Sequence, residues 1–253
     1  MPNKGLQKLR ESIDLTLNQP GAYFQLEILA TGISSSSHGI ADFQNVSSTS
    51  KDSFRFPTSE PEEGQVDNNE IISLFHQGEI FHLLEVDGGE KEWTAFETGD
   101  TGWGSSTLAP LFWLQGVDQV KPLGTSRYQL SINMQRYISE QPTSDARAQA
   151  KKSLENNMVG LSTQILSCEV KCDPRGRIEW LSVIMPIDNS PEIPVSLEGE
   201  EEVQPTKKTI SLSFIDHPPS IPKPDANFRY STMEFINSAV EQDKLDLPTR
   251  EKD

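Results

Sequence analysis

QILSCEVKCDPRGRIEW, residues 164–180, alternates apolar and polar side chains up to a four-residue turn and continues as a second extended run beyond it. Leu166, Cys168, Val170 and Cys172 share one face while Ser167, Glu169 and Lys171 share the other, the period of a half-buried antiparallel strand. Asp173-Pro174-Arg175-Gly176 supplies the residues that reverse a chain. The stretch therefore predicts a β-hairpin. It also holds the only two cysteines of the chain, Cys168 and Cys172. Their Cα atoms would stand about 13 Å apart at roughly 3.3 Å per strand residue, well past the roughly 7 Å reach of a disulfide. Zinc would need further ligands, and His38, His76, His82 and His217 offer no paired spacing nearby. Buried free thiols are the expectation, with no metal and no cofactor.

Outward from this hairpin the same period recurs. SRYQLSINM sets Tyr128, Leu130, Ile132 and Met134 against Gln129, Ser131 and Asn133, and KKTISLSFID sets Ile210, Leu212 and Phe214 against Thr209, Ser211 and Ser213. Near the start, YFQLEILA places Phe24, Leu26 and Ile28 on one face, and weaker strands are expected at Ile40 to Val46 and Phe54 to Phe56. IISLFHQGEIFHLLEV reads as a hairpin about Gln77 and Gly78, in which His76 pairs with Glu79 and His82 with Ser73, so the two histidines fall on opposite faces. Trp93 to Phe96 gives one more strand.

Helices interrupt the strands. Leu6, Leu9, Ile13 and Leu17 have helical spacing and predict an amphipathic helix within residues 1–21 that packs on the domain. TLAPLFWLQG predicts a short helix with Pro110 in its first turn, apolar on more than one face and so buried between layers. A third, mostly polar helix is expected from Ser144 to about Asn157, at the surface. The β domain is expected over residues 22–224, ending in the Pro-rich exit HPPSIPKP, with residues 225–253 as a charged tail carrying a short helix at Ser231 to Glu241.

Charge narrows the function classes. The chain carries 38 acidic against 22 basic residues, a formal net of -16, which disfavours nucleic acid and anionic membrane surfaces as partners. Residues 187–206 concentrate Asp188, Glu192, Glu198, Glu200, Glu201 and Glu202 without a Lys or Arg, and lack the ligand spacing of a calcium loop. No segment has the length and apolarity of a membrane span, and the first residues contain no signal-peptide h-region. As written the chain is expected inside the cell; with a leader removed, it would belong to the envelope. Neither a G-x-S-x-G elbow, a P-loop nor a dinucleotide fingerprint is present, so enzyme activity is not expected.

The order of elements resembles a family. Between residues 117 and 224, a strand, LGTSRYQLSINM, a helix, the hairpin CEVKCDPRGRIEWLSVIMP and the closing ISLSFIDHPPSIPKP are similar to the LolA/LppX/LprG-like bacterial lipoproteins, in particular the mycobacterial LppX/LprG branch. The resemblance implies a mainly β (α+β) fold, a strongly curved antiparallel half-barrel wrapped around a few helices, whose concavity takes a lipid, acylated or other hydrophobic ligand. It departs from the family in having no lipidation cysteine before Cys168. The lining it implies is Phe24, Leu26 and Ile28; Tyr128, Leu130 and Ile132; Leu166 and Val170; Ile210, Leu212 and Phe214; with Trp113 from the helix. The competing expectation is a structural or protein-interaction module whose core is filled by its own helices and whose acidic stretch recruits a basic partner.

Overall fold

The computed structural model describes residues 4–30, 33–55, 69–85, 89–98, 102–157, 160–186 and 204–231. These residues form one open sheet of twelve strands with a few helices against one face. The strands are β1 (Gly21–Ala30), β2 (Ile33–Asp42), β3 (Ser47–Arg55), β4 (Asn69–His76), β5 (Glu79–Glu85), β6 (Lys91–Glu97), β7 (Val117–Gly124), β8 (Arg127–Asn133), β9 (Ile165–Cys172), β10 (Ile178–Ile184), β11 (Lys207–Ile215) and β12 (Phe228–Ser231). The helices are α1 (Lys4–Leu17), α2 (Ala109–Trp113), α3 (Met134–Ser139) and α4 (Ser144–Asn157). The spatial order is β12-β6-β5-β4-β3-β2-β1-β11-β10-β9-β8-β7. Two meanders, β1 to β6 and β7 to β11, are joined where β1 pairs with β11, Phe24 opposite Leu212 and Leu26 opposite Ile210.

This order explains α2. The chain leaves β6 near one edge of the sheet and enters β7 at the other, so the segment between must cross the inner face. Its side chains meet protein on every side: Leu108, Leu111, Trp113 and Leu114 are fully buried, and Pro110 occupies the first turn where its missing N–H costs nothing. An aromatic cluster holds the start of the crossing, with Trp103 stacked on Phe112 at 5.3 Å and on Phe75 at 5.4 Å between ring centroids.

The hairpin about Asp173 to Gly176 is present as β9 and β10. Asp173 organises its turn by accepting the backbone N–H groups of Arg175 and Arg177, both at 2.9 Å, and the Arg177 Nε–H at 2.8 Å. Burial alone would raise the Asp173 pKa, but the hydrogen bonds and charge of Arg177 outweigh it and hold the carboxyl below its ordinary range. Gly176 takes φ +85°, which an L side chain adopts only under strain. The turn is tied to α1: the Ile178 N–H donates to Thr16 Oγ1 at 2.7 Å, and Arg177 reaches Gln19 Oε1 at 3.0 Å. Leu9 and Ile13 of α1 are buried in the main core, so the expected amphipathic helix packs on the sheet.

Several expectations need correction. The weak strands proposed at Ile40 to Val46 and Phe54 to Phe56 are instead the long β2 and β3, joined by a turn over residues 43–46. The run Ser34 to Ser37 has no apolar alternation to announce a strand, and it is extended because it is laddered to β1 on one side and β3 on the other. Met134 does not continue the face of β8. It begins α3, capped by Asn133, whose Oδ1 accepts the Arg136 N–H at 3.1 Å. The surface helix α4 is not merely superficial, since Ala150, Ser153 and Leu154 bury one of its faces.

The sheet also continues past Pro224. Residues 228–231 form β12, parallel to β6 with Phe228 opposite Thr94. The Pro-rich exit leads into it as a strap: Ile221 is buried in a second apolar cluster with Leu74, Phe81 and Ala95. Lys223 and Arg229 both pair with Glu79, and Asn227 bonds the Trp93 carbonyl at 3.3 Å and Glu92 at 2.6 Å. Residues 187–203 and 232–253, which include most of the acidic stretch and of the expected terminal helix, lie outside the described residues.

Candidate functional site: the inner face of the sheet

Register arranges the inward side chains in rows across the sheet. One row runs Tyr128, Val170, Leu181, Ile210, Leu26, Ser37, Asp52; the next runs Leu130, Cys168, Val183, Lys208, Ile28, Ser35, Phe54. The residues expected to line a concavity are therefore brought together. Phe24, Leu26, Trp113, Leu130, Ile132, Leu166, Val170, Ile210 and Leu212 are buried in the main core, and Ile28, Tyr128 and Phe214 are half-buried against it. Opposite this apolar wall stand side chains of the protein itself, among them Leu9 and Ile13 of α1, Leu111 of α2 and Leu154 of α4. Phe24 and Leu212 also border grooves of about 590 and 410 Å³ that lie among outward residues such as Tyr23, Ile40, Lys171 and Trp180. Close approach shapes the wall at Gly39, where an added Cβ would lie 2.2 Å from the Thr49 carbonyl and 2.6 Å from the Phe24 ring that covers it.

From β2 to β6 the same face changes character. Ser37, Ser48, Ser50, Asp52, Ser73 and Thr94 are all buried on it, and His82 is directly opposite both Ser73 and Thr94. The pairing of His82 with Ser73, and of His76 with Glu79, is the register read from the hairpin. Ser73 donates its hydroxyl proton to Asp52 Oδ2 and lies 2.9 Å from His82 Nδ1. With the serine proton directed at the carboxylate, Nδ1 is the donor in the second bond, an assignment made from the network. Desolvation pushes the His82 pKa down, against the opposing attraction of Asp52, so the imidazole is neutral near pH 7. The other carboxylate oxygen, Asp52 Oδ1, is buried without a hydrogen-bond partner among the described residues.

This hydrogen-bond order is not that of a nucleophile. In a serine–histidine relay the imidazole accepts the hydroxyl proton and a carboxylate holds the far side of the ring; here the carboxylate takes the hydroxyl proton directly. What the cluster offers is hydrogen bonding, with a free acceptor at Asp52. Sequence reading missed Asp52 and Ser73 because the serine-rich strands carry no apolar pattern that says which side faces in. The signal that could have found them is the register itself, which places Ser73 across from His82.

Two donors stand at the apolar wall. The Lys208 ammonium lies 5.9 Å from the Trp113 ring centroid, and the indole Nε1 of the fully buried Trp113 has no hydrogen-bond partner among the described residues. The two cysteines are free and buried, Cys168 within a row, and burial pushes both thiols up in pKa and away from thiolate reactivity. Among the described residues no group of three His, Cys, Asp or Glu side chains has the geometry to hold a metal ion, and no helix is long and apolar enough to cross a membrane.

No protein-family model matches the chain, and no curated protein matches it in sequence. Among solved structures it is similar to the crystal structure of LprF from Mycobacterium bovis, at 10% identity and a TM-score of 0.45, covering 88% of this chain and 98% of that one. A porin-like protein from Bacteroides uniformis is similar over 79% of this chain and 98% of its own, at 7% identity and a TM-score of 0.27.

Proposed function

We propose that this chain is a non-enzymatic carrier or sensor for a lipid or other amphipathic ligand, held where the two kinds of inner surface meet on β1, β2 and β3. The observation that carries this reading is the division of one continuous inward face into an apolar wall and a buried hydroxyl–carboxylate wall. Across a single register row the side chains change from Ile210 and Leu26 to Ser37 and Asp52 within two strand steps. A core that served packing alone would gain nothing from burying a carboxylate with an unpaired oxygen, because a buried acceptor left unmet costs about 1–3 kcal/mol. A ligand with an apolar chain and a polar end meets both surfaces: the chain adds to the contacts of Leu26 and Ile28, and a hydroxyl or amine donor reaches Asp52 Oδ1.

A second reading is favoured by the packing of α1, α2 and α4 against the wall. In it the concavity is filled by the protein's own helices, and the acidic stretch at residues 187–206 recruits a basic partner. Native mass spectrometry of protein purified without detergent, followed by organic extraction, separates the two. A near-stoichiometric species of lipid mass is expected from the carrier. A clean apo mass, unchanged by incubation with mixed lipids, would assign the chain to the interaction module, whose complex should weaken as salt shortens the screening length from about 10 Å toward 3 Å.

A further inference from the structure

Lys208 occupies a place that the pattern of the sheet reserves for an aliphatic side chain. On β11 it shares the inward face with Ile210, Leu212 and Phe214. Its cross-strand neighbours are Ile28 on β1 and Val183 on β10, the latter fully buried. Solubility does not require a charge there, since the exposed Lys207 already provides one at the outward position beside it. No carboxylate among the described residues pairs with Lys208. Its half-buried side chain is desolvated enough to lower the ammonium pKa from 10.5, whereas an opposite charge in contact would raise it.

The nearest aromatic group has the same deficiency. Trp113 is completely enclosed, and its Nε1–H has no acceptor among the described residues although buried indole N–H groups ordinarily find one. Two donors, one of them a cation lying over the ring of the other at 5.9 Å from its centroid, therefore stand close together on an apolar wall, neither with an oxygen acceptor among the described residues. A neutral carbonyl or a water could satisfy the N–H but would leave the ammonium without an opposite charge among the described residues. An anionic oxygen group answers both. Because Ile28, Val183 and Ile210 surround the point, the anion that fits best is one carried on an apolar body.

We infer that Lys208 and Trp113 recognise the anionic headgroup, a carboxylate or phosphate, of a long-chain amphiphile. The inference rests on the carrier reading above and adds to it a second polar contact, an anionic group at the apolar wall, distinct from the donor that reading directs to Asp52. Charge-assisted hydrogen bonds of this kind in a partly dry site correspond to about 10- to 100-fold in affinity.

The test uses the full chain, stripped of bound lipid, and three probes of equal chain length: hexadecanoic acid, hexadecyl phosphate and hexadecan-1-ol. Binding is measured by calorimetry for the natural chain and for Lys208→Met and Trp113→Phe. The acid and the phosphate are expected to bind the natural chain about 10- to 100-fold more tightly than the alcohol. Lys208→Met should bring all three within about threefold of one another by weakening the anions and leaving the alcohol unchanged, and Trp113→Phe should produce a smaller loss of the same selectivity. Folding is monitored alongside: Lys208→Met should be at least as stable as the natural chain without ligand, because it replaces a desolvated ammonium by an apolar side chain of similar length. Equal binding of acid and alcohol by the natural chain, or selectivity that survives Lys208→Met, would overturn the headgroup inference and leave the carrier reading standing. Failure of all three probes to bind would overturn both, and inorganic phosphate binding as tightly as hexadecyl phosphate would overturn the amphiphile.

Discussion

On β1 the outward side chains Tyr23 and Leu29 are more than half exposed and the inward Phe24 and Leu26 are buried, whereas on β5 the outward Phe81 is the side chain with no exposure at all. The difference lies in what covers each half. Helices α1, α2 and α4 supply the second layer over the inner face of β1 and β8 to β11. At β4 to β6 the strap through Ile221 and Lys223 lies on the outer face, and the inner face there carries Ser73, Thr94 and His82. The hairpin half of the sheet is thus dry on both faces, with Phe75, Ile80 and Phe96 on the inner side and Leu74, Phe81 and Ala95 under the strap, because a strand is apolar on whichever face receives a second layer. Sharing the apolar burden between two faces leaves inner positions for hydroxyls at Ser73 and Thr94, beside the Asp52 carboxylate of β3.

If the helix-backed half carries the main core, its inward residues should dominate stability. Leu130→Ala is expected to cost about 3–5 kcal/mol in urea unfolding, against no more than about 0.5 kcal/mol for Ile72→Ala at an outward, exposed position. Comparable losses at both sites would dissolve the comparison. The strap half offers the next effect. Ile221→Ala should cost about 2 kcal/mol, and hydrogen exchange should rise at β12 and β6 while β9 and β10 keep their protection. Exchange rising equally throughout would show the halves to be one cooperative unit.

The polar surface can be probed at its centre. Ser73→Ala removes the donor that Asp52 now has and is expected to destabilise by about 1–3 kcal/mol, while an unchanged midpoint would mean that water replaces the hydroxyl at no cost. The smallest effect concerns Glu79. Desolvation raises its pKa, but the hydrogen bonds and charges of Lys223 and Arg229 prevail and hold it below its ordinary 4.5. A carboxylate depressed on folding contributes stability that is fully present above pH 4.5 and is lost as pH falls through the lower, folded value. Glu79→Gln should therefore cost about 0.5–1 kcal/mol at neutral pH and abolish that part of the acid sensitivity of β12 exchange.

Legibility in the sequence followed the covering layer as well. The β9–β10 hairpin, β8, β11 and the free cysteines were readable because one face of each strand is dry and the other wet, which writes a period of two into the residues. Strands β2 and β3 wrote no such period: their inward positions include Ser35, Ser37, Ser48 and Ser50 with Gly39 and Asp52, and hydroxyls serve equally well in turns. β12 was missed because it is four residues long and parallel to a strand more than 130 residues earlier in the chain. No local pattern reports a pairing of that range. In α3, Asn133 was a visible capping residue that the apolar alternation of β8 concealed.

The candidate site divides in the same way. The apolar wall was legible as a packed face, since Phe24, Leu26, Ile28, Leu166, Val170, Ile210 and Leu212 sit at period-two positions of their strands. That helices of the same chain stand opposite them, and that Asp52, Ser73 and His82 continue the same face, depends on which strands become neighbours. Alternation along a strand is a local property, set by whether each side chain meets water or protein. The meeting of Lys208 with Trp113, and of the apolar wall with the hydroxyl wall, arises from pairing β1 with β11 and from sending α2 across the sheet. Those are long-range choices governed by the burial of whole layers, and only the tertiary structure makes them.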